Sequence, residues 1–183
     1  GDGYKRLDAW SIHNKDHATL RVAPNSTYKI YDALFGLEEG VITPENSFIA
    51  WNGEIYPFEA WNADQTLQSA MNSSVNWYFQ TVDEQLGASD VYSYIQEIGY
   101  GNENMSGDFS TYWMESSLEI SPIEQVELLA KLQNNSFGFA PENISTVKDA
   151  ICLSSSDAGT FYGKTGTGRV NGQYVNGLSL IHI

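Results

Sequence analysis

Pro24-Asn25-Ser26-Thr27-Tyr28-Lys29-Ile30-Tyr31 is the stretch from which the fold can be read outward. Pro24 stands just outside a helix, and Asn25 or Ser26 is placed to cap it. Tyr28, Ile30, Tyr31, Leu34, Phe35 and Leu37 make that helix apolar on most sides, as expected of a helix buried at a domain centre. Glu38-Glu39-Gly40 ends it. Residues i and i+3 of a helix share a face, so the Ser26 hydroxyl and the Lys29 amine can meet. Serine is a weak nucleophile at neutral pH and needs an adjacent base, which a deprotonated lysine or its carbamate supplies. Alone, the pair reads more simply as a capping serine and a solvated lysine.

On the N-terminal side, residues 4–23 read as a hairpin: Ala9-Trp10-Ser11-Ile12-His13, a polar turn at Asn14-Lys15-Asp16, then Ala18-Thr19-Leu20-Arg21-Val22. On the C-terminal side, residues 41–65 read as ordered loop. A helical pattern follows over 67–86, with Ser74-Val75-Asn76 near its beginning or at a break within it. Ser89-Asp90 caps a helix over 91–98 that stops at Gly99. Ser121, Pro122 and Glu124 form a capping box with proline at the first turn of a helix over 123–132. Residues 161–167 read as a strand, Asn171-Gly172 as a tight hairpin turn, and Gln173 as the start of the return strand. Strands, then helices, then strands predict an α+β fold, an antiparallel sheet flanked by helices in which the terminal strands share one sheet.

The chain has 183 residues, 42% of them hydrophobic, enough for a single domain with a real core. Its net charge of −14 would repel phosphate backbones, so nucleic acid is not an expected partner. The acidity suits a domain that meets a small ligand or stands beside a cell wall. Cys152, the single cysteine, cannot form an internal disulfide and is expected to be buried and inert. His13 and His17 lie in a polar turn without further ligands nearby, so no metal is expected. Trp51, Trp61, Trp77 and Tyr78 read as core, with a loop tryptophan able to line a site mouth. No run of about eighteen apolar residues spans a membrane. The absence of an initial methionine or a leader points to a fragment, truncated at both ends, of a longer protein.

Ser74-Val75-Asn76 offers a hydroxyl to relay a proton and an amide to hold a substrate amide, although by default it is a pair of helix-capping residues. Lys164-Thr165-Gly166 sets a cation and a hydroxyl where a carboxylate can dock, and Gly166 lets a ligand lie along the strand. A β-turn is its simpler reading. An oxyanion formed at Ser26 can accept from the Ser26 N–H and from an N–H near Thr167. In this order, S-x-x-K, S-x-N and K-T-G form the pattern of penicillin-recognising serine acyl-enzymes.

These residues, together with Tyr56-Pro57-Phe58, Trp61-Asn62, Trp77-Tyr78-Phe79, Tyr100-Gly101-Asn102, Tyr112-Trp113-Met114-Glu115 and Tyr162-Gly163-Lys164-Thr165-Gly166-Thr167-Gly168, resemble the penicillin-sensing domains of BlaR1/MecR1 receptors from about residue 18 to residue 177. Such domains are similar to class D β-lactamases, which usually carry valine where Asn76 stands. The resemblance implies that Ser26 attacks a β-lactam carbonyl while Lys29, as an N-carboxylated base, takes its proton. Ser74 would relay that proton to the ring nitrogen. Lys164 and Thr165 would hold the ligand carboxylate, with Gly166, Thr167 and Trp113 also in the binding site. It places the chain outside the cytoplasmic membrane of a bacterium, joined to the membrane only through a preceding region, with no cofactor beyond a carbamate on Lys29. A class D-like β-lactamase with turnover and a penicillin-binding transpeptidase-like domain remain the alternatives. After Asn176-Gly177, the stretch Leu178-Ser179-Leu180-Ile181-His182-Ile183 departs from the resemblance, and closing strands and a helix are expected to be missing.

Overall fold

The computed structural model describes residue 12, residues 14–170 and residues 173–182. Helices come first: α1 (Lys15–Thr19), α2 (Lys29–Glu38), α3 (Leu67–Ser73), α4 (Asn76–Leu86), α5 (Ala88–Ile98), α6 (Pro122–Gln133) and α7 (Pro141–Ala150). Strands β1 (Cys152–Ser156), β2 (Gly159–Val170) and β3 (Gln173–His182) follow and pair antiparallel in the order β1-β2-β3. An antiparallel sheet with helices around it is the α+β arrangement that the sequence predicts.

Helix α2 is the axis of the core. Ile30, Tyr31, Ala33, Leu34 and Phe35 are all fully buried, and α4 and α7 pack against the helix. An apolar surface all round is what a central helix needs, because each of its faces meets another element. Neither Asn25 nor Ser26 caps it. A 3₁₀ turn over Asn25–Thr27 leads into α2, and no side chain caps either segment. Asn25 takes up a left-handed conformation (φ 49°) and spends its side chain elsewhere, donating to Ala23 O (3.1 Å) and accepting from Glu115 N (3.2 Å).

Of the two placements open for Ser74-Val75-Asn76, a break within the helical stretch is the one present. α3 starts with a capping box between Thr66 and Ser69, and Ser74 ends it in the left-handed region (φ 55°, ψ 42°). Aromatic side chains brace the turn from below: Trp61 Nε1 donates to Ser73 O (3.0 Å) and Trp77 Nε1 donates to Trp61 O (2.9 Å). Trp77 and Tyr78 are buried, and Trp51 and Trp61 pack half-buried against the core. The capping box of Ser121 and Glu124 opens α6, with Pro122 in its first turn.

Other expectations give way. The polar turn of the N-terminal hairpin and the first two residues of its second arm are helical, over Lys15–Thr19, because Asn14 adopts a left-handed conformation and its side chain accepts from His17 N. Among the described residues of that hairpin, Val22 alone bridges in strand fashion, to Ile120, away from the β1-β2-β3 sheet. The first arm and His13 lie outside the described residues, as does the Asn171-Gly172 turn. α5 begins at Ala88 after Gly87, with no side-chain cap from Ser89 or Asp90. Cys152 is exposed, since every residue of β1 lies open to solvent. α7 is an element that the sequence reading passed over, although Pro141 in its first turn marks it. Residues 178–182 continue β3, Leu178 opposite Thr165 and His182 opposite Phe161.

Candidate active site

The 3₁₀ turn before α2 lies against β2, and two glycines permit that contact. A Cβ at Gly166 would stand 2.9 Å from Pro24 O, and one at Gly168 would stand 2.2 Å from Asn25 Nδ2. The K-T-G strand thus passes beside Ser26 at backbone distance. From the other side, Asn25 N donates to Trp113 O (3.0 Å), which ties the nucleophile's turn to the loop carrying Trp113. Glu115 joins all three pieces: its N–H reaches Asn25 Oδ1, and its Oε1 accepts from Arg169 N (2.7 Å).

Lys29 is fully buried and points back along its helix, donating to Ser26 Oγ (2.9 Å) and to Asn76 Oδ1 (2.7 Å). This is the meeting across one turn that the i, i+3 spacing predicts. The Lys29 ammonium lies 4.2 Å from the centre of the Trp113 ring and 5.5 Å from that of Phe79. Burial pushes the Lys29 pKa well below that of an ordinary lysine, and the nearby Lys164 cation adds to the effect. A buried amine of lowered basicity, hydrogen-bonded to a serine hydroxyl, is the arrangement a general base requires.

Ser74 and Lys164 form a second hydroxyl–amine pair. Lys164 Nζ donates to Ser74 Oγ (2.8 Å) and to Thr165 O (2.9 Å). Burial lowers the Lys164 pKa to about 8. The left-handed turn at Ser74 is what points Ser74 at Lys164 and Asn76 at Lys29, two residues apart. A non-glycine residue in that region costs on the order of 1–3 kcal/mol, and such strain collects where side chains are being aimed.

A cleft of about 490 Å³ opens over these groups, with Ser26, Asn76, Trp113, Thr167, Met114 and Glu115 in its walls. Of the residues proposed from the sequence, Ser26, Lys29, Ser74, Asn76, Lys164, Trp113 and Thr167 therefore come together. Gly166 serves the contact between strand and turn. Thr165 is exposed on β2 and contributes its carbonyl to Lys164. Trp51, Trp61, Trp77 and Tyr78 are not among the cleft's lining residues; the tryptophan there is Trp113. Met114, whose sulfur accepts from Asn76 Nδ2 (3.1 Å), and Glu115 have no role in the sequence reading beyond the family stretch that contains them.

Comparison with known proteins agrees with this geometry. The pattern of the penicillin binding protein transpeptidase domain matches residues 6–180. The regulatory protein BlaR1 of Bacillus licheniformis is 47% identical over 90% of this chain, which spans 27% of that protein's length. The C-terminal domain of the Bacillus licheniformis BlaR penicillin-receptor superposes with a TM-score of 0.84 at 44% identity, covering 90% of this chain and 69% of that one. A class D β-lactamase from Bacillus subtilis superposes with a TM-score of 0.83 at 33% identity, covering 94% of this chain and 78% of that one. The chain belongs to the penicillin-binding transpeptidase family, in the class D β-lactamase-like branch formed by the penicillin-sensing domains of BlaR1/MecR1 receptors.

Proposed function

We propose that the chain is the extracytoplasmic sensor domain of a β-lactam receptor, acylated on Ser26 by the antibiotic and slow to release it. One observation carries the reading: Lys29 Nζ lies between the Ser26 hydroxyl and the Asn76 amide oxygen, at 2.9 and 2.7 Å. In this reaction Lys29 takes the Ser26 proton as Oγ bonds to the lactam carbonyl carbon. The lactam C–N bond then breaks, and its nitrogen receives a proton by way of Ser74. Lys164 supplies the positive charge that docks the ligand carboxylate, and Ser26 and Thr167 border the place where the oxyanion forms.

The residues fit a carbamate on Lys29. The amine is of low basicity, and Trp113 Nε1 is a buried donor without a hydrogen-bond partner among the described residues. Lys29 and Trp113 would hold the group, which would supply a stronger base than the amine. Asn76 competes with it by holding the amine itself. Deacylation needs a base that remains active beside the ester, so this grip is our account of the persistent acyl group. Asn76→Val is expected to shorten the lifetime of the acyl-protein, followed by intact-mass decay after excess drug is removed. An unchanged lifetime would defeat this account.

The charge on Lys164 gives a pH dependence of definite sign. A lysine whose pKa lies at about 8 loses its charge as pH rises through that value. Acylation efficiency with benzylpenicillin should fall above about pH 8. In Lys164→Arg, whose guanidinium stays charged, that descending limb should disappear.

The acylation reading is tested by intact-protein mass spectrometry with benzylpenicillin followed by peptide mapping. We expect one penicilloyl group per chain, on the peptide that contains Ser26. No adduct, or an adduct elsewhere, would contradict it.

A further inference from the structure

Behind the Lys29 amine the core holds two carboxyl groups, Asp32 and Asp83, 0% and 1% exposed. Buried carboxylates are costly unless donors satisfy them, and the two differ in that respect. Asp83 accepts from the Tyr112 hydroxyl (3.2 and 3.1 Å to its two oxygens), and Tyr112 is 2.7 Å from the Tyr28 hydroxyl. Neither oxygen of Asp32 has a hydrogen-bond partner among the described residues. Burial raises both carboxyls, Asp32 well above the ordinary range and Asp83 to about 7, where the Tyr112 hydroxyl pulls it back down, so Asp83 is the member that can carry charge.

Trp113 connects this acid to the reacting amine. Its ring lies 4.2 Å from the Lys29 ammonium and stacks on Tyr28 with centroids 6.1 Å apart, and the Tyr28 hydroxyl meets the Tyr112 hydroxyl that holds Asp83. We propose that Asp83 is a positioning residue for Lys29: held by Tyr112 and joined through Tyr28 to the Trp113 ring, its carboxylate supplies the buried negative charge that supports the ammonium formed when Lys29 takes the Ser26 proton. Asp32 is its neutral neighbour. The step balances without any further reactant. The Ser26 O–H bond breaks, the proton forms an N–H bond on Lys29, and it leaves through Ser74 for the lactam nitrogen. Above about pH 7, where its buried carboxyl is ionised, Asp83 keeps its charge throughout. This inference rests on the acylation reading above.

The charged and titratable groups around the amine come from each packed element. α2 contributes Tyr28, Tyr31 and Asp32, α4 contributes Asp83 and Glu84, β2 contributes Lys164, and the segment between α5 and α6 contributes Tyr100 and Tyr112. Lys164 disfavours a proton on Lys29, whereas Asp32 and Asp83, where ionised, favour one. Burial holds the tyrosines neutral. Removing the Asp83 charge should therefore weaken the hold of Lys29 on a proton.

The test compares the wild-type chain with Asp83→Asn, Asp32→Asn and Tyr112→Phe in CO2-depleted buffer. Two readouts are taken against pH: the rate of acylation by a fluorescent penicillin, and the ¹³Cε shift of Lys29 in the unreacted protein. In Asp83→Asn the acid limb of the rate and the Lys29 titration should both move to lower pH by roughly 0.5–1 unit, a three- to tenfold change in proton affinity. The plateau rate should fall. Asp32→Asn should leave both midpoints in place. Tyr112→Phe, which keeps the volume and removes the donor, should move them in the same direction as Asp83→Asn and decides the matter if that variant does not fold. Unmoved midpoints in folded Asp83→Asn or Tyr112→Phe, or a shift produced by Asp32→Asn alone, would overturn the proposal. A wild-type chain that takes no penicilloyl group would refute acylation instead, and the Lys29 titration would still decide whether Asp83 is its charge partner.

Discussion

Ser26→Ala is expected to abolish covalent labelling by β-lactams while the fold and non-covalent docking persist. The hydroxyl caps neither the 3₁₀ turn nor α2, so its loss removes no helix-terminal hydrogen bond. Its one described partner is the Lys29 amine, which retains Asn76 at 2.7 Å. Loss of a single hydrogen bond of this kind costs about 1 kcal/mol. The chemical loss should be total, because the second hydroxyl–amine pair has the more basic amine, Lys164, whose pKa is lowered only to about 8. Ser74 is paired with Lys164, whose role is to carry charge. Denaturing gels with a fluorescent penicillin should show no band for Ser26→Ala, and a thermal melt should lie close to that of the wild type. A labelled Ser26→Ala protein would place the nucleophile elsewhere.

Lys29→Met has the second largest effect. Methionine fills nearly the same volume without a charge to bury, and it suits the Trp113 and Phe79 rings that now surround the amine. Removing a desolvated amine from the core should leave stability unchanged or improved, since burial already disfavours its charged form. Acylation should slow by about 10²–10⁴-fold, the usual contribution of a placed general base. Stopped-flow labelling gives the rate and differential scanning fluorimetry the stability. A variant that melted far below the wild type would show Lys29 to be a structural cation, contrary to the role given it here.

What was legible in the sequence was local. Ser26 and Lys29 lie one helical turn apart, so their contact follows from helix geometry without knowledge of the tertiary fold. Ser74 and Asn76 were legible as a break because two polar residues interrupt an apolar helical pattern. That their turn aims one side chain at Lys164 and the other at Lys29 depends on backbone dihedrals that no spacing rule gives. Trp113 came from family resemblance alone; its place over the amine is set by Asn25 N binding Trp113 O. Asp32 and Asp83 went unread because they belong to different helices and only packing brings them behind the amine.

The misreadings have the same origin. The segment over Lys15–Thr19 reads as a polar turn running into a strand, yet the left-handed Asn14 and its bond to His17 N start a helical turn. Cys152 was judged from the general tendency of cysteine to be buried. Its strand lies at one edge of the described sheet, where all five residues face solvent. In α7 the polar run Glu142-Asn143-Ile144-Ser145-Thr146 hides a helix whose few apolar residues, Ile144 and Val147, reach the core.

The central claim is that Ser26 is acylated once and keeps its acyl group. Mixing the protein with excess chromogenic cephalosporin and counting product against protein tests it directly. A burst of one equivalent followed by a near-flat trace is the predicted result, and sustained release of many equivalents would contradict it.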